Sequence, residues 1–83
     1  MCMGKAFTVS DFGKRLRKLR KSRGYSQESF ALQVELDRTY VGGIERGERN
    51  PGLKVILKIA EALEVPPQDL FDRGEQTVRA DET

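Results

Sequence analysis

The stretch SQESFALQVELDRTYVGGIERG, residues 26–47, decides the fold of this chain, because it predicts two short helices separated by a tight turn. Each helix has its own start signal, since Ser26 is a good N-cap ahead of the first and Asp37 ahead of the second. Apolar residues recur at three- and four-residue spacing in both halves, so each helix has one side to bury. These apolar residues are Phe30, Ala31, Val34, Val41 and Ile44.

The outward side of the second helix begins with three polar side chains, Arg38, Thr39 and Tyr40. Arg suits the edge of a guanine and the Thr methyl suits the methyl of thymine, provided that the helix can lie in a major groove. For Tyr40 a second interpretation stays open, in which its ring is half-buried and packs on the preceding helix.

Residues 26–47 resemble the helix-turn-helix of the Cro and phage-repressor class of bacterial regulators, the XRE family, and the resemblance extends to about Phe71. The segment LDRTYVGGIERGERNP, residues 36–51, is similar in particular to the small controller proteins of restriction-modification systems. The resemblance implies an all-α fold, a compact five-helix bundle with a central helix-turn-helix, as in lambda-repressor-like DNA-binding domains. It also implies a sequence-specific transcriptional regulator that binds double-stranded DNA as a homodimer, on an operator with two half-sites.

The loop after the motif, residues 48–52, runs along the phosphate backbone in the resembled family. Cations and an amide are chemically suited to that contact, so Arg46, Arg49 and Asn50 are predicted to anchor phosphates, together with Gln27 at the start of the first motif helix. The alternative is a merely solvated loop, since loops are polar in general.

A basic helix is predicted ahead of the motif, over residues 11–23, with Ser10 as its cap and Gly24 as its stop. Arg20 should lie at the edge of the buried stripe of this helix, where an unpaired charge is costly. In the resembled family an Arg at this place pairs with a Glu of the recognition helix, and the matching residue here is Glu45. The apolar stripe consists of Phe12, Leu16 and Leu19.

Two features depart from the family pattern. Glu35 stands in the turn where Gly is frequent, so either the turn takes another shape or the residue tolerates a strain of about 1 kcal/mol. Gly42 and Gly43 weaken the recognition helix, since each costs about 0.5–1 kcal/mol relative to Ala. They permit either close helix packing or a close approach of the backbone to DNA. On the second interpretation Gly43 joins the base-contacting residues.

Beyond the loop, residues 53–63 predict a core helix, and Pro67 is placed to begin a short fifth helix. A chain of 83 residues has a small core, so a homodimer is expected, with Val65, Leu70 and Phe71 as apolar contacts. The core helix should bury one broad apolar face, made of Leu53, Ile56, Leu57, Ala60 and Leu63, with Ile59 widening it.

Length and charge fit one small domain without an effector-binding domain. We expect an N-terminal arm over residues 1–9, the DNA-binding domain over 10–72 and a polar tail over 73–83. Residues 1–24 hold eight basic residues and one acid, whereas residues 25–83 hold seven and twelve. This polarity suggests a side that faces a polyanion, although a basic run can also be a solvated helix face.

Other function classes find little support in the sequence. With no His and a single Cys near the N-terminus, no catalytic or metal-binding constellation is visible, so we expect a protein that is not an enzyme and has no cofactor and no metal. No signal peptide or membrane span is visible, which favours a cytoplasmic location. The alternative is an antitoxin-type regulator whose tail also binds a partner protein. The operator sequence and the choice between activation and repression do not follow from the residues.

Overall fold

The computed structural model describes residues 6–72, which form four α-helices and one 3₁₀ helix. Helix α3 packs against both α1 and α2, α4 contacts α2, and the 3₁₀ helix contacts α1 and α4. The elements are α1 Val9–Ser22, α2 Gln27–Val34, α3 Arg38–Glu45, α4 Leu53–Leu63 and the 3₁₀ helix Pro67–Phe71. The predicted helical fold is therefore confirmed for these residues, with the fifth element as a correction.

The fifth element is a 3₁₀ helix and not an α-helix. It has five residues, it begins directly after Pro66 and it ends before Asp72, whose backbone is extended. The amide of Asp69 donates to the carbonyl of Pro66 at 2.9 Å, the three-residue spacing of a 3₁₀ turn. Such a tight turn suits a short connection, and it brings Leu70 into the core with no exposed surface.

One core lies between all five elements. Its largest fully buried side chains come from every α-helix and from the 3₁₀ helix, so no element could be lost without exposing it. The buried apolar residues are Phe12, Leu16, Phe30, Ala31, Val34, Val41, Ile44, Ile59, Ala60, Leu63 and Leu70.

Helix α1 begins before the predicted cap. Thr8, and not Ser10, is the N-cap: its hydroxyl accepts from the amide of Asp11 at 3.2 Å, while the Asp11 carboxylate accepts from the amide of Thr8 at 2.9 Å. This reciprocal pair is a capping box, which satisfies two backbone donors, whereas Ser10 would have satisfied one. The predicted stop at Gly24 is confirmed by its left-handed backbone, with φ of 83°. Residues 1–5 of the predicted arm lie outside the described residues.

The two motif helices begin where the sequence predicts, after Ser26 and Asp37. Glu35 resolves the open question about the turn, because it adopts the left-handed conformation with φ of 60°. The turn therefore keeps its shape and the non-Gly residue bears the strain. Leu36 follows, half-buried against the core, and its amide donates to the Ala31 carbonyl at 2.9 Å.

The inner face of α4 differs from the prediction. Leu53 and Leu57 are 69% and 46% exposed, whereas Ile59, Ala60 and Leu63 are buried. The helix carries more apolar residues than one face can hold, and the buried face follows Ile59 and Ala60. The broad apolar face is thus divided between the core and the surface.

Candidate DNA-binding surface

The start of α3 presents Arg38 and Thr39 to solvent, as predicted. Asp37 caps this end, because its carboxylate accepts from the amide of Thr39 at 2.8 Å. Tyr40 is half-buried and packs against the core, which favours the interpretation of its ring as a packing element at the rim of the surface. The first turn of α3 therefore offers a guanidinium and a hydroxyl bearing a methyl group at an end fixed by its cap.

The two glycines of α3 are covered by arginine side chains. A Cβ atom at Gly43 would lie 2.6 Å from Cγ of Arg49, and one at Gly42 would lie 3.1 Å from Nη1 of Arg46. Both glycines are buried. The interpretation in which bare backbone at Gly43 lies open to the duplex does not hold for this conformation, since the Arg49 side chain occupies that space.

The loop after α3 is fastened to the end of the helix. The carbonyl of Gly43 accepts from the amides of Glu48 at 2.8 Å and Arg49 at 3.3 Å, and Gly47 takes a left-handed conformation with φ of 78° that only glycine adopts readily. Arg49 and Asn50 are exposed. The loop therefore holds a cation and an amide beside the recognition helix.

Arg46 is exposed as well, but it has an acidic partner that sequence reasoning missed. Its Nη2 lies 3.2 Å from Oε1 of Glu48, and the two side chains are 56% and 60% exposed. An ion pair as exposed as this contributes little to stability. It does, however, neutralise one of the cations predicted to meet phosphate.

A buried polar network joins α1, α2 and α3. Arg20 donates from Nε to Oε2 of Glu45 at 2.6 Å and from Nη2 to Oε1 at 3.1 Å, so the predicted ion pair is present in the structure. Nη1 of Arg20 donates to the carbonyl of Tyr25 at 2.8 Å, and Nε2 of Gln27 donates to Oε1 of Glu45 at 3.0 Å. The network fixes the end of the recognition helix against both neighbouring helices.

Gln27 has an internal role that was not predicted. Because a carboxylate only accepts hydrogen bonds, the contact with Glu45 orients the amide nitrogen of Gln27 inward. Gln27 was predicted only as a phosphate contact. Its position at the start of α2, facing an acid at the end of α3, is visible only once the two helices are packed together.

Besides Arg20, two basic side chains reach other elements, Arg15 of α1 and Arg23 at the C-cap of this helix. Arg15 donates from Nε to the carbonyl of Asp69 at 2.7 Å and so holds the 3₁₀ helix, and Arg23 lies 3.5 Å from the carboxylate of Glu64. Four further cations are exposed at helical spacing and form one stripe, which we call the α1 basic stripe: Lys14, Arg17, Lys18 and Lys21. This stripe is the part of the basic run that is available to an anion.

The residues predicted for a dimer interface do not share one environment. Leu70 is fully buried in the core, so it is not a surface contact in this fold. Val65 is half-buried against the core, while Phe71 is 47% exposed with its ring 5.5 Å from those of Phe7 and Phe12. Phe71 also lines an open groove of about 170 Å³ beside Ile56 of α4.

Over residues 6–72, no helix is both long and apolar enough to cross a membrane. In the same part of the chain, no group of three or more His, Cys, Asp or Glu side chains converges in a way that could hold a metal ion.

Comparison with known proteins places these features in context. A family model described as helix-turn-helix matches residues 16–70. The control protein C.BamHI of Bacillus amyloliquefaciens is 48% identical over 62 residues, which cover 74% of this chain and 76% of that protein. The crystal structure of the restriction-modification controller protein C.AhdI from Aeromonas hydrophila superposes with a TM-score of 0.74 at 54% identity, covering 76% of this chain and 96% of that one. The restriction-modification controller protein C.Esp1396I, solved as a tetramer in complex with its natural 35-base-pair operator, gives a TM-score of 0.71 at 37% identity, covering 81% of this chain and 88% of that one.

Proposed function

Since the chain belongs to the helix-turn-helix family of DNA-binding transcription regulators, we propose that it is a sequence-specific regulator that binds double-stranded DNA as a homodimer on an operator with two half-sites. The observation that carries this proposal is the first turn of α3, where Arg38 and Thr39 are exposed at a capped helix end. The buried network around Glu45 fixes the opposite end of the same helix. A recognition helix held at both ends can enter a groove without losing its shape.

Base reading is assigned to the start of α3. In the major groove, the Arg38 guanidinium donates to the two acceptors on a guanine edge, and the Thr39 methyl packs on a thymine methyl. Tyr40, half-buried beside them, supports the helix at the rim of the groove.

Phosphate contacts are assigned to groups of the loop after α3, of α1 and of α2. Arg46, Arg49 and Asn50 lie exposed after α3, and the α1 basic stripe adds four more exposed cations. Gln27 retains a second amide hydrogen besides the one donated to Glu45, and it stands at the N-terminus of α2, where the helix dipole favours an anion. Contacts of this kind position the protein on DNA and make its affinity depend on salt.

Homodimer formation is assigned to the apolar surface that the fold leaves uncovered on α4. Leu53 and Leu57 are four residues apart on this helix, and both are exposed. Ile56 of the same helix lines the groove with Phe71, so these side chains can form one apolar patch. That C.Esp1396I is a tetramer on its operator supports an assembly of several copies on DNA.

Selection of bound sequences from a pool of random duplexes tests the function. We expect enrichment of a site with two related half-sites about one helical turn apart, bound less tightly as salt rises. If no sequence is enriched, the protein is not a sequence-specific regulator.

Sedimentation tests the dimer with a matched pair of variants. Leu57→Glu should convert a dimer into monomers and weaken operator binding, because a charge is placed in the apolar patch. Leu32→Glu is the control, since Leu32 lies on α2 and is 76% exposed. If the unmodified protein sediments as a monomer at micromolar concentrations, the dimer is rejected. The antitoxin alternative depends on the tail over 73–83, which lies outside the described residues.

A further inference from the structure

Two neighbouring glycines lie in the middle of an eight-residue recognition helix, where each of them weakens the helix. The contacts around them give a reason for their presence. Each one provides the space into which an arginine from the end of the motif folds back across α3.

Gly43 lies beneath the stem of Arg49. The position of a Cβ atom at Gly43 is 2.6 Å from Cγ, 3.7 Å from Cδ and 3.5 Å from Nε of Arg49, so the side chain lies flat along the helix at this point. The backbone of the same two residues is also joined, because the Arg49 amide donates to the Gly43 carbonyl at 3.3 Å. Arg49 is therefore held at both its main chain and its side chain by one glycine.

Gly42 lies beneath the guanidinium of Arg46. The Cβ position at Gly42 is 3.1 Å from Nη1 of Arg46 and 3.5 Å and 3.7 Å from the amide atoms of Gln27. The guanidinium thus reaches back towards the start of α2, and its other side is held by Glu48 at 3.2 Å. Both cations are exposed, and both lie along the recognition helix.

We propose that Gly42 and Gly43 are positioning residues that seat Arg46 and Arg49 against the recognition helix and so fix where these two cations meet the DNA backbone. The inference rests on the proposed function for its DNA part. Its physical basis is preorganisation: a long side chain that is already folded in its bound arrangement loses less conformational entropy on binding. The glycines contact DNA only through the arginines they seat.

A double-mutant cycle on Gly43 and Arg49 tests the seat without DNA. Gly43→Ala, Arg49→Ala and the double variant are compared by denaturant unfolding. Adding a methyl group beneath the arginine stem should displace it, whereas in the Arg49→Ala background the space is free. We therefore expect Gly43→Ala to give a lower unfolding midpoint than helix propensity alone would give. In the Arg49→Ala protein, the same change should raise the midpoint above that of Arg49→Ala. Additive shifts of the unfolding midpoint would show that Gly43 does not position Arg49.

The same three variants, titrated against the selected operator, test the consequence. Gly43→Ala and Arg49→Ala should each weaken binding by about tenfold, the effect of losing a charge-assisted contact. Each should also make the slope of log affinity against log salt shallower by about 0.9. The double variant should bind no more weakly than Arg49→Ala alone. A further loss from Gly43→Ala in the Arg49→Ala background would mean that the glycine backbone itself contacts DNA, and it would overturn the proposal.

Gly42 and Arg46 form a second, milder cycle, which remains decisive if Gly43→Ala does not fold. The nearest atom over Gly42 is the far end of the arginine, at 3.1 Å, so Gly42→Ala should weaken binding less than Gly43→Ala and again only while Arg46 is present. If the unmodified protein binds no duplex DNA, the proposed function fails, and the unfolding cycles still test whether the glycines position the arginines. If it binds DNA but both cycles are additive, only the positioning role of the glycines is rejected.

Discussion

Arg20 of α1 and Glu45 at the end of α3 are joined by two hydrogen bonds, 2.6 Å and 3.1 Å long, and their side chains are only 6% and 3% exposed. The remaining groups of the pair are also used, since Arg20 reaches the Tyr25 carbonyl and Glu45 accepts from Gln27. A buried pair of this kind gives little net stability over an apolar pair, but breaking it leaves an uncompensated charge. It therefore acts mainly to fix how α3 lies against α1 and α2.

Removing one partner of this pair should be strongly destabilising. Arg20→Ala or Glu45→Ala is expected to lower the free energy of unfolding by about 3–5 kcal/mol, because the remaining charge stays buried without its partner. The double replacement should cost less than the sum of the single ones. Denaturant unfolding of the three variants measures this coupling. Additive losses would mean that each residue acts independently of the other.

Arg38 should control the preference for one base pair. Arg38→Ala is expected to cost about 1–3 kcal/mol in operator binding and to relax the sequence preference at one position of each half-site. Its stability should change little, because the side chain is exposed at the start of α3. Repeating the selection from random duplexes with the variant measures the change in preference.

Lys58 provides the matched control for Arg38, since it is an exposed cation on α4, a helix that packs against α2 and the 3₁₀ helix. Lys58→Ala removes the same charge and should leave the selected sequence unchanged. If Arg38→Ala selects the same site with the same strength as the unmodified protein, α3 does not read bases through this residue.

Much of the motif could be predicted because its signals are local. The caps at Ser26 and Asp37 determine where α2 and α3 begin, and the bounds of α4 follow from its apolar residues and the prolines after it. The start of α1 was also readable, since Thr8 and Asp11 have the spacing of a capping box. It was missed because Ser10 is an equally good cap by residue type.

The rest of the site depends on how the helices lie against one another, and no local signal carries that information. The hydrogen bond from Gln27 to Glu45 and the passage of Arg49 over Gly43 exist only after packing. The same holds for α4, where periodicity identifies apolar residues but does not determine which of them face the core. Leu57 is 46% exposed, whereas Ile59 is fully buried.

Glu48 is expected to limit binding to DNA of any sequence. It pairs with Arg46 at the surface, so a phosphate that approaches Arg46 must compete with this carboxylate. Glu48→Gln should raise the affinity for random duplex DNA severalfold at low salt and make the salt slope steeper by about 0.9, as one more phosphate is neutralised. Titration of a labelled random duplex at several salt concentrations measures both.

Glu61→Gln is the control for this charge change, because Glu61 is an exposed acid on α4. The two variants have the same net charge, so a general electrostatic effect would raise affinity equally in both. We expect a larger gain in affinity for Glu48→Gln than for Glu61→Gln. Equal gains would show that the ion pair with Arg46 has no specific effect.

Gly13 is expected to be the glycine on which the fold depends most, although it lies inside α1 where helix propensity favours alanine. A Cβ atom there would overlap the carbonyl oxygen of Ile44 and lie 2.6 Å from that of Glu45, and both are backbone atoms that cannot rotate away. Gly13→Ala should therefore push α1 from the end of α3 and cost about 1–3 kcal/mol, the range for overpacking. Gly52→Ala is a control for the added methyl group, since nothing lies within 4 Å of it, and its loss of stability should stay below about 1 kcal/mol, the effect of replacing Gly by Ala at the N-cap of α4. Thermal unfolding of both variants decides the point, and a Gly13→Ala protein as stable as the unmodified one would show that α1 and α3 can separate at no cost.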